Sequence, residues 1–356
     1  MTLRTPRAPR AVLLRRIAAL DKKILELANA RAQLLQSSGA APAELAAAAE
    51  LPPRLRGPLP PASLRAIHRE LRSATEALIL PLRIAYMGPP SSFTHQAAIN
   101  HFGHACEFIP KDSITDVFRA VAKAEAQFGV APVENSNEGV VTHTLDMFID
   151  ADVQICAEVL LDIHHHLLSR VSLRQIRTVY SHPMGFAQCR RWLATHLPRA
   201  RLADVYSTAY AAECATRQPH SAAVAGELAA QMFGLAIRAR CIEDYTNNVT
   251  RFLVIGTAMP PRTRASKTSL LFSIKDRPGA LYDALKPFKD AGINLMKIES
   301  RPSKQKAWEY IFYVDFAGHA EDAAAARALA RLARHCNFVK LLGSYPLTSR
   351  AANPGA

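Results

Sequence analysis

A chain of 356 residues with 49% apolar composition is long enough for two or three domains, each with its own core. The 44 Lys and Arg against 30 Asp and Glu leave a net charge of +14, but the excess is spread as single arginines without a basic run or aromatic interleaving, which argues against nucleic acid and fits a small polyanion. No stretch reaches the roughly 18 to 20 uninterrupted apolar residues of a membrane span, and the six cysteines form no CxxC pair, so neither a zinc cage nor a disulfide framework is expected and a reducing cytoplasm is.

The first sixteen residues hold five arginines and run into a charged amphipathic helix instead of a signal-peptide core. Over 11–36, Leu13, Ile17, Leu20, Ile24, Leu27, Arg31 and Leu34 recur at spacings of four and three, a long helix with one apolar seam and a guanidinium set into it. A Pro/Ala-rich stretch punctuated by Pro52, Pro53, Pro58, Pro60 and Pro61 follows, and a further helix over about 62–79 stops before Pro81.

The pattern then changes. "LRIAYMG" is a short strand closing on "GPPSSFTHQAA", a turn whose hydroxyls precede a helix and whose amides suit an anion. Strands over about 128–132, 153–162, 177–180, 221–225 and 252–256 alternate with helical stretches, the mark of α/β architecture with mainly parallel strands. Beyond an "AMPPRTRAS" linker at about 258–266, the order βαββαβ indicates a ferredoxin-like domain.

Three stretches place polar groups at expected strand ends: Glu134, Asn135 and Ser136 in "PVENSNEGVV", Ser181 and then Gln188 in "SHPMGFAQCR", and Thr250 and Arg251 in "NNVTRF". Singly, each reads as a turn or a helix cap. Together with "AYMGPPSSFTHQAA", "IHHHLL", "VAGELAAQMFGL", "GAL" and "ESRP", in that order from about 82 to 346, they resemble the bifunctional P-proteins of phenylalanine biosynthesis, in which chorismate mutase is joined to prephenate dehydratase and an ACT regulatory domain.

The resemblance implies a helical mutase-like domain over 1–80, a two-lobed α/β dehydratase domain over 82–258 with substrate in the cleft, and an ACT domain over 267–347. It implies prephenate as substrate without cofactor or metal. Arg251 is expected to pair with a prephenate carboxylate, since a guanidinium binds carboxylate through two hydrogen bonds. Thr250 is expected to donate to the departing hydroxyl. Asn135, Ser136, Ser181, Gln188, Ser92 and Thr94 would orient substrate, and Glu134 is either a proton-holding carboxyl or a salt-bridged structural one. Pro90 and Ser91 stand where the family usually has an acidic residue and a glycine. The His164–His166 triplet is read as structural, because adjacent strand positions face opposite ways.

In the first 80 residues Arg31, Glu44 and Thr75 match mutase ligands, while Leu14, Ala43 and Ile79 stand where others belong and no Lys lies between residues 24 and 66. The mutase activity is therefore doubtful, and the helices are read as a dimerisation element, with a homodimer or higher homo-oligomer expected. In the ACT stretch, Gly279, Ala280 and Leu281 with Glu299, Ser300, Arg301 and Pro302 are expected to border an allosteric L-Phe site. The alternatives are a fully bifunctional enzyme and a non-catalytic amino-acid sensor.

Overall fold

The computed structural model describes residues 10–39, 57–263, 265–275, 277–302 and 310–348. The chain divides into two compact units, Met1–Pro81 with Phe102–Cys106, and Leu82–His101 with Glu107–Ala356. Among the described residues no helix is long and apolar enough to cross a membrane.

The first unit is helical. α1 (Arg10–Ser38) and α2 (Pro61–Glu76) follow the expected periodicity, and α2 starts with proline at its first position, where a missing N–H costs nothing. Arg31 donates to Thr75 Oγ1 and lies 3.8 Å from Glu76, so two of the three mutase-like residues meet; Glu44 lies outside the described residues. His104 and Ala105 amides bond to Glu70 and Ser73 at 3.1 Å, fastening Phe102–Cys106 to α2. The seam of α1 stays exposed within one chain, from 44% at Leu13 to 72% at Leu34.

In the second unit, lobe one contains β1 (Arg83–Met87), β2 (Glu107–Lys111), β3 (Phe128–Asn135), β4 (Gly139–Val140) and β5 (Gln154–Asp162), with α3 (Phe93–Phe102), α4 (Ile114–Ala122) and α5 (Thr142–Asp150). Lobe two contains β6 (His166–Ser169), β7 (Thr178–Ser181), β8 (Arg201–Asp204), β9 (Ser221–Ala225) and β10 (Ala236–Ala239), with α6 (Pro183–Gln188), α7 (Arg190–His196), α8 (Thr208–Arg217) and α9 (Glu227–Phe233). β11 (Val249–Gly256) returns to lobe one, giving sheet orders β2-β1-β3-β11-β5 and β10-β6-β9-β7-β8.

Both sheets are mixed, which corrects the expectation of mainly parallel strands. β1 runs parallel to β2 and β3, and β7 to β8 and β9, but β11 is antiparallel to β3 and β5, and β6 to β9 and β10. The cause is the double crossing between lobes: a strand that comes back runs against its neighbours. The crossing segments lie side by side, with Ile163 N–H on Asn248 O at 2.7 Å and Ile242 N–H on His165 O at 2.8 Å.

Four strands, β12 (Ser266–Ile274), β13 (Leu295–Pro302), β14 (Tyr310–Ala317) and β15 (Cys336–Pro346), pair antiparallel in the order β13-β14-β12-β15, with α10 (Ala280–Asp290) and α11 (Ala323–Ala333) against one face. The other face shares a core with lobe one. Leu271, Ile311, Tyr313, Leu342 and Tyr345 pack with Val133, Leu145, Phe148, Ile155 and Leu253, and Tyr313 donates to Leu145 O at 2.8 Å. A Cβ on Gly343 would run into the Ile155 backbone, so glycine is what lets β15 approach β5. The change in pattern near 258–266 is thus a change of architecture without a break in packing.

Candidate functional site

Register decides which residues can meet. Thr250 sits opposite Asn135 on β11 and β3, and Arg251 opposite Glu134. Directly opposed residues share a sheet face and successive ones alternate. Thr250 and Asn135 therefore face the cleft, while Arg251 and Glu134 face the four-stranded sheet behind.

On the cleft side, Asn135 Nδ2 donates to Thr250 Oγ1 at 2.8 Å and to Asn248 Oδ1 at 2.7 Å, and Asn135 Oδ1 accepts the amides of Asn137 and Glu138 at 2.9 and 3.0 Å. Asn248 Nδ2 donates to Gln188 Oε1 at 2.8 Å, which puts a residue from the end of α6 in lobe two into the same network. Gln188 Nε2 reaches Glu138 Oε1 at 3.4 Å. Since a carboxylate only accepts, the Gln188 amide is turned with its oxygen toward His165, whose Nε2 lies 2.8 Å away and must carry the proton. Burial pulls the His165 pKa below the ordinary imidazole value, against the opposing pull of the Gln188 hydrogen bond and the Glu243 charge, so the ring is neutral at pH 7. The Phe93 ring packs edge-on to it, centroids 5.5 Å apart, bringing the start of α3 to the same place.

Of the expected residues, Asn135, Gln188 and Thr250 converge directly. Ser92 and Thr94 flank Phe93; Ser92 Oγ caps α3 by accepting His95 N–H at 3.3 Å. Ser136 pins the entry of β11, accepting Val249 N–H at 3.0 Å and donating to Asn247 O at 2.9 Å. Ser181 does not face the cleft: it is fully buried, and its hydroxyl donates to Val224 O at 3.0 Å beneath α6.

Arg251 and Glu134 lie on the opposite face of the sheet, among protein partners. Arg251 donates through Nε to Glu158 and through Nη2 to Asp315, both at 2.8 Å, and to Tyr345 Oη at 3.2 Å. Lys267 joins at 2.5 Å from Glu158 and 3.6 Å from Asp315. Burial opposes the Asp315 charge, but Arg251 and Lys267 outweigh it and hold that carboxyl below its usual range. The guanidinium that breaks the apolar pattern of β11 thus meets protein carboxylates of lobe one and of β14, with its hydrogen-bonding capacity turned away from the cleft. Glu134 pairs with Lys297 of β13 at 2.5 Å, the structural alternative of the two considered for it.

Asn248, His165 and Glu138 were not assigned to the site from sequence. Asn248 could have been, because it precedes Thr250 by two and so shares its face; His165 was read with its triplet as structural, and Glu138 stands in the polar stretch after β3 without a local sign of its partner.

Ser91 adopts φ 67°, a left-handed conformation that glycine takes without strain, and its buried Oγ has no partner among the described residues. The conformation alone costs about 1–2 kcal/mol. Ser91→Gly should therefore raise the unfolding free energy by up to about that amount, read as a higher denaturant midpoint, and an unchanged midpoint would show that the turn relaxes around serine.

Comparison with known proteins gives three results. A family model described as prephenate dehydratase matches residues 84–260, and one described as ACT domain matches 268–334. The bifunctional chorismate mutase/prephenate dehydratase of Aquifex aeolicus is 44% identical over 350 residues, covering 94% of this chain and 97% of that one, and the prephenate dehydratase of Amycolatopsis methanolica is 39% identical over 267 residues, covering 74% and 88%. Among solved structures, a prephenate dehydratase from Arthrobacter aurescens in complex with L-Phe matches with a TM-score of 0.68 and 34% identity, over 77% of this chain and 95% of that one.

Proposed function

The chain belongs to the family of bifunctional chorismate mutase/prephenate dehydratases and is a prephenate dehydratase; we propose that the cleft lined by Asn135, Gln188, Asn248 and Thr250 is where it acts. The observation that carries this reading is the Asn135–Asn248–Gln188 bridge, which joins the two lobes beneath a hydroxyl able to donate.

In prephenate the ring carboxylate leaves as CO2, its bonding pair enters the ring, and the C–O bond to the ring hydroxyl breaks. The expelled oxygen gathers negative charge and takes up a proton to leave as water. Thr250 Oγ1 already accepts from Asn135 and no described residue accepts from it, so its O–H is free to donate a hydrogen bond to that oxygen, while the proton that completes the water comes from solvent. Neutral His165 and Glu138 hold Gln188 in one orientation, and Gln188 with Asn248 holds Asn135. With Arg251 occupied, the substrate carboxylates are assigned to the start of α3, where the Phe93 and Thr94 amides donate to nothing among the described residues.

Purified protein should convert prephenate to phenylpyruvate without added metal or cofactor. Supplied with chorismate alone, it should form product slowly or not at all, because Glu76 neutralises Arg31 and cations expected around it are missing. Prephenate left unconverted would end the dehydratase reading. Mutase turnover matching the dehydratase, and lost in Arg31→Ala, would restore the bifunctional one.

The βαββαβ order supports a ferredoxin-like ACT domain that binds L-Phe. Gly279, at φ 77°, caps α10 with open space where a Cβ would stand. Ala280 is buried, and Leu281 packs half-buried against the core between helices and sheet. The strand motif divides between two faces: Ser300 lies opposite Phe312 on the helix side, whereas Glu299 lies opposite Tyr313 and Arg301 opposite Ile311, facing lobe one, where Arg301 stands 3.6 Å from Asp146. This register favours the Gly279–Leu281 end of α10 beside Ser300 for L-Phe over a contact between Glu299 and the ligand amino group. Lys297 and Arg301 connect the strand to lobe one. β13 is an edge strand and the α1 seam is uncovered, two surfaces that suit a homodimer.

L-Phe should inhibit the dehydratase, and Gly279→Val should relieve inhibition while uninhibited turnover stays within a few-fold. Absence of calorimetric L-Phe binding, with a rate unchanged at millimolar L-Phe, would remove this control.

A further inference from the structure

Alternation separates the histidine triplet into two sets. His165 faces the cleft, while His164 and His166 lie on the other side with rings 6.5 Å apart. The second crossing segment runs beside it and presents Cys241 and Glu243, again two residues apart. Cys241 N–H donates to His166 Nδ1 at 3.0 Å, and Glu243 accepts from His164 Nδ1 at 2.8 Å and from the His165 amide at 2.9 Å. The sequence does not reveal this set, since His164 lies 77 residues from Cys241 and 79 from Glu243 and meets them only because the two crossings pair.

We infer that His164, Cys241 and Glu243 form a binding site for one zinc-class divalent cation. Their ligand atoms all lie within 4.8 Å of one another. Around a tetrahedral Zn2+ with bonds of about 2.0–2.3 Å such atoms stand about 3.3–3.8 Å apart, a contraction that side-chain torsions can supply. The set offers one sulfur, one imidazole nitrogen and one carboxylate oxygen, the borderline-soft mixture that selects zinc over magnesium or calcium. A thiolate and a carboxylate together neutralise the dication, and three protein ligands leave one position open.

Two further features support the assignment. Cys241 is the exposed member of the six cysteines, so an ion can reach it, and its backbone holds φ 49°, a strained conformation for a residue with a Cβ. Glu243 is buried, with a side chain only 2% exposed, and its orientation is fixed before any ion arrives. An ion here would tie both crossing segments together behind His165.

Cobalt is the probe. Titration of the reduced full-length chain with Co2+ should saturate at one ion per chain with a thiolate-to-cobalt charge-transfer band in the near ultraviolet, and Zn2+ should displace it. Cys241→Ser should abolish the band and His164→Ala should weaken binding at least tenfold, with dehydratase turnover in both within a few-fold of wild type as the check on folding. Cys106→Ser should leave the band intact. No band in the wild type, a band that survives Cys241→Ser, or unchanged affinity in His164→Ala would overturn the assignment.

Discussion

Thr250→Ala should lower kcat about 10²- to 10³-fold, the usual loss when a preorganised donor to a developing oxyanion is removed, while the far-UV spectrum and denaturant midpoint stay close to wild type. The effect is expected to be this large because the leaving oxygen carries most of the charge that develops, and the cleft supplies Thr250 with a fixed direction. Asn135 Nδ2 occupies the hydroxyl's acceptor side, so the proton points away from the network. Removing the hydroxyl costs the fold little, since Asn135 keeps Asn248 as an acceptor at 2.7 Å. Thr250→Ser, which restores the donor, should recover most of the rate. Steady-state kinetics of phenylpyruvate formation decide the matter: an alanine variant with undiminished kcat would take Thr250 out of the reaction.

Arg251→Ala should behave differently, losing stability before anything else. Glu158 and Asp315 are 5% and 7% exposed, and the guanidinium is hydrogen-bonded to both. Without it Lys267 alone faces two buried carboxylates. Breaking a buried pair from one side costs about 3–5 kcal/mol, which chemical denaturation will read as a lower midpoint. Lysine is a poor substitute, because Nε and Nη2 address two separate carboxylates and one ammonium cannot reproduce that geometry. Asp315→Asn in the Arg251→Ala background should restore part of the loss by removing an orphaned charge. A midpoint that stays put while KM rises tenfold or more would instead return Arg251 to the substrate.

Much of the molecule was readable beforehand. The seam of α1, the proline start of α2, the strand at 221–225 and the βαββαβ order follow from local rules, period 3.6 or 2, proline's missing N–H and glycine's freedom, which act over a few residues. Alternation along β11 also requires Thr250 and Arg251 to face opposite ways. Local rules could not say which face held the cleft, so both residues of one motif were assigned to substrate.

The rest depended on approach between distant segments. Glu158 and Asp315 lie 93 and 64 residues from Arg251, and no pattern near Arg251 announces them. His165 and Glu138 join the site only because two crossings bring lobe two against lobe one, and the left-handed turn at Ser91 is not one that serine favours locally. The chain's sequence by itself determined its elements, their order and the chemical groups at strand ends, since those follow from neighbouring residues. Tertiary structure alone decided which groups share a cleft and which charge cancels which, because these depend on sheet register and on the packing of one face against another.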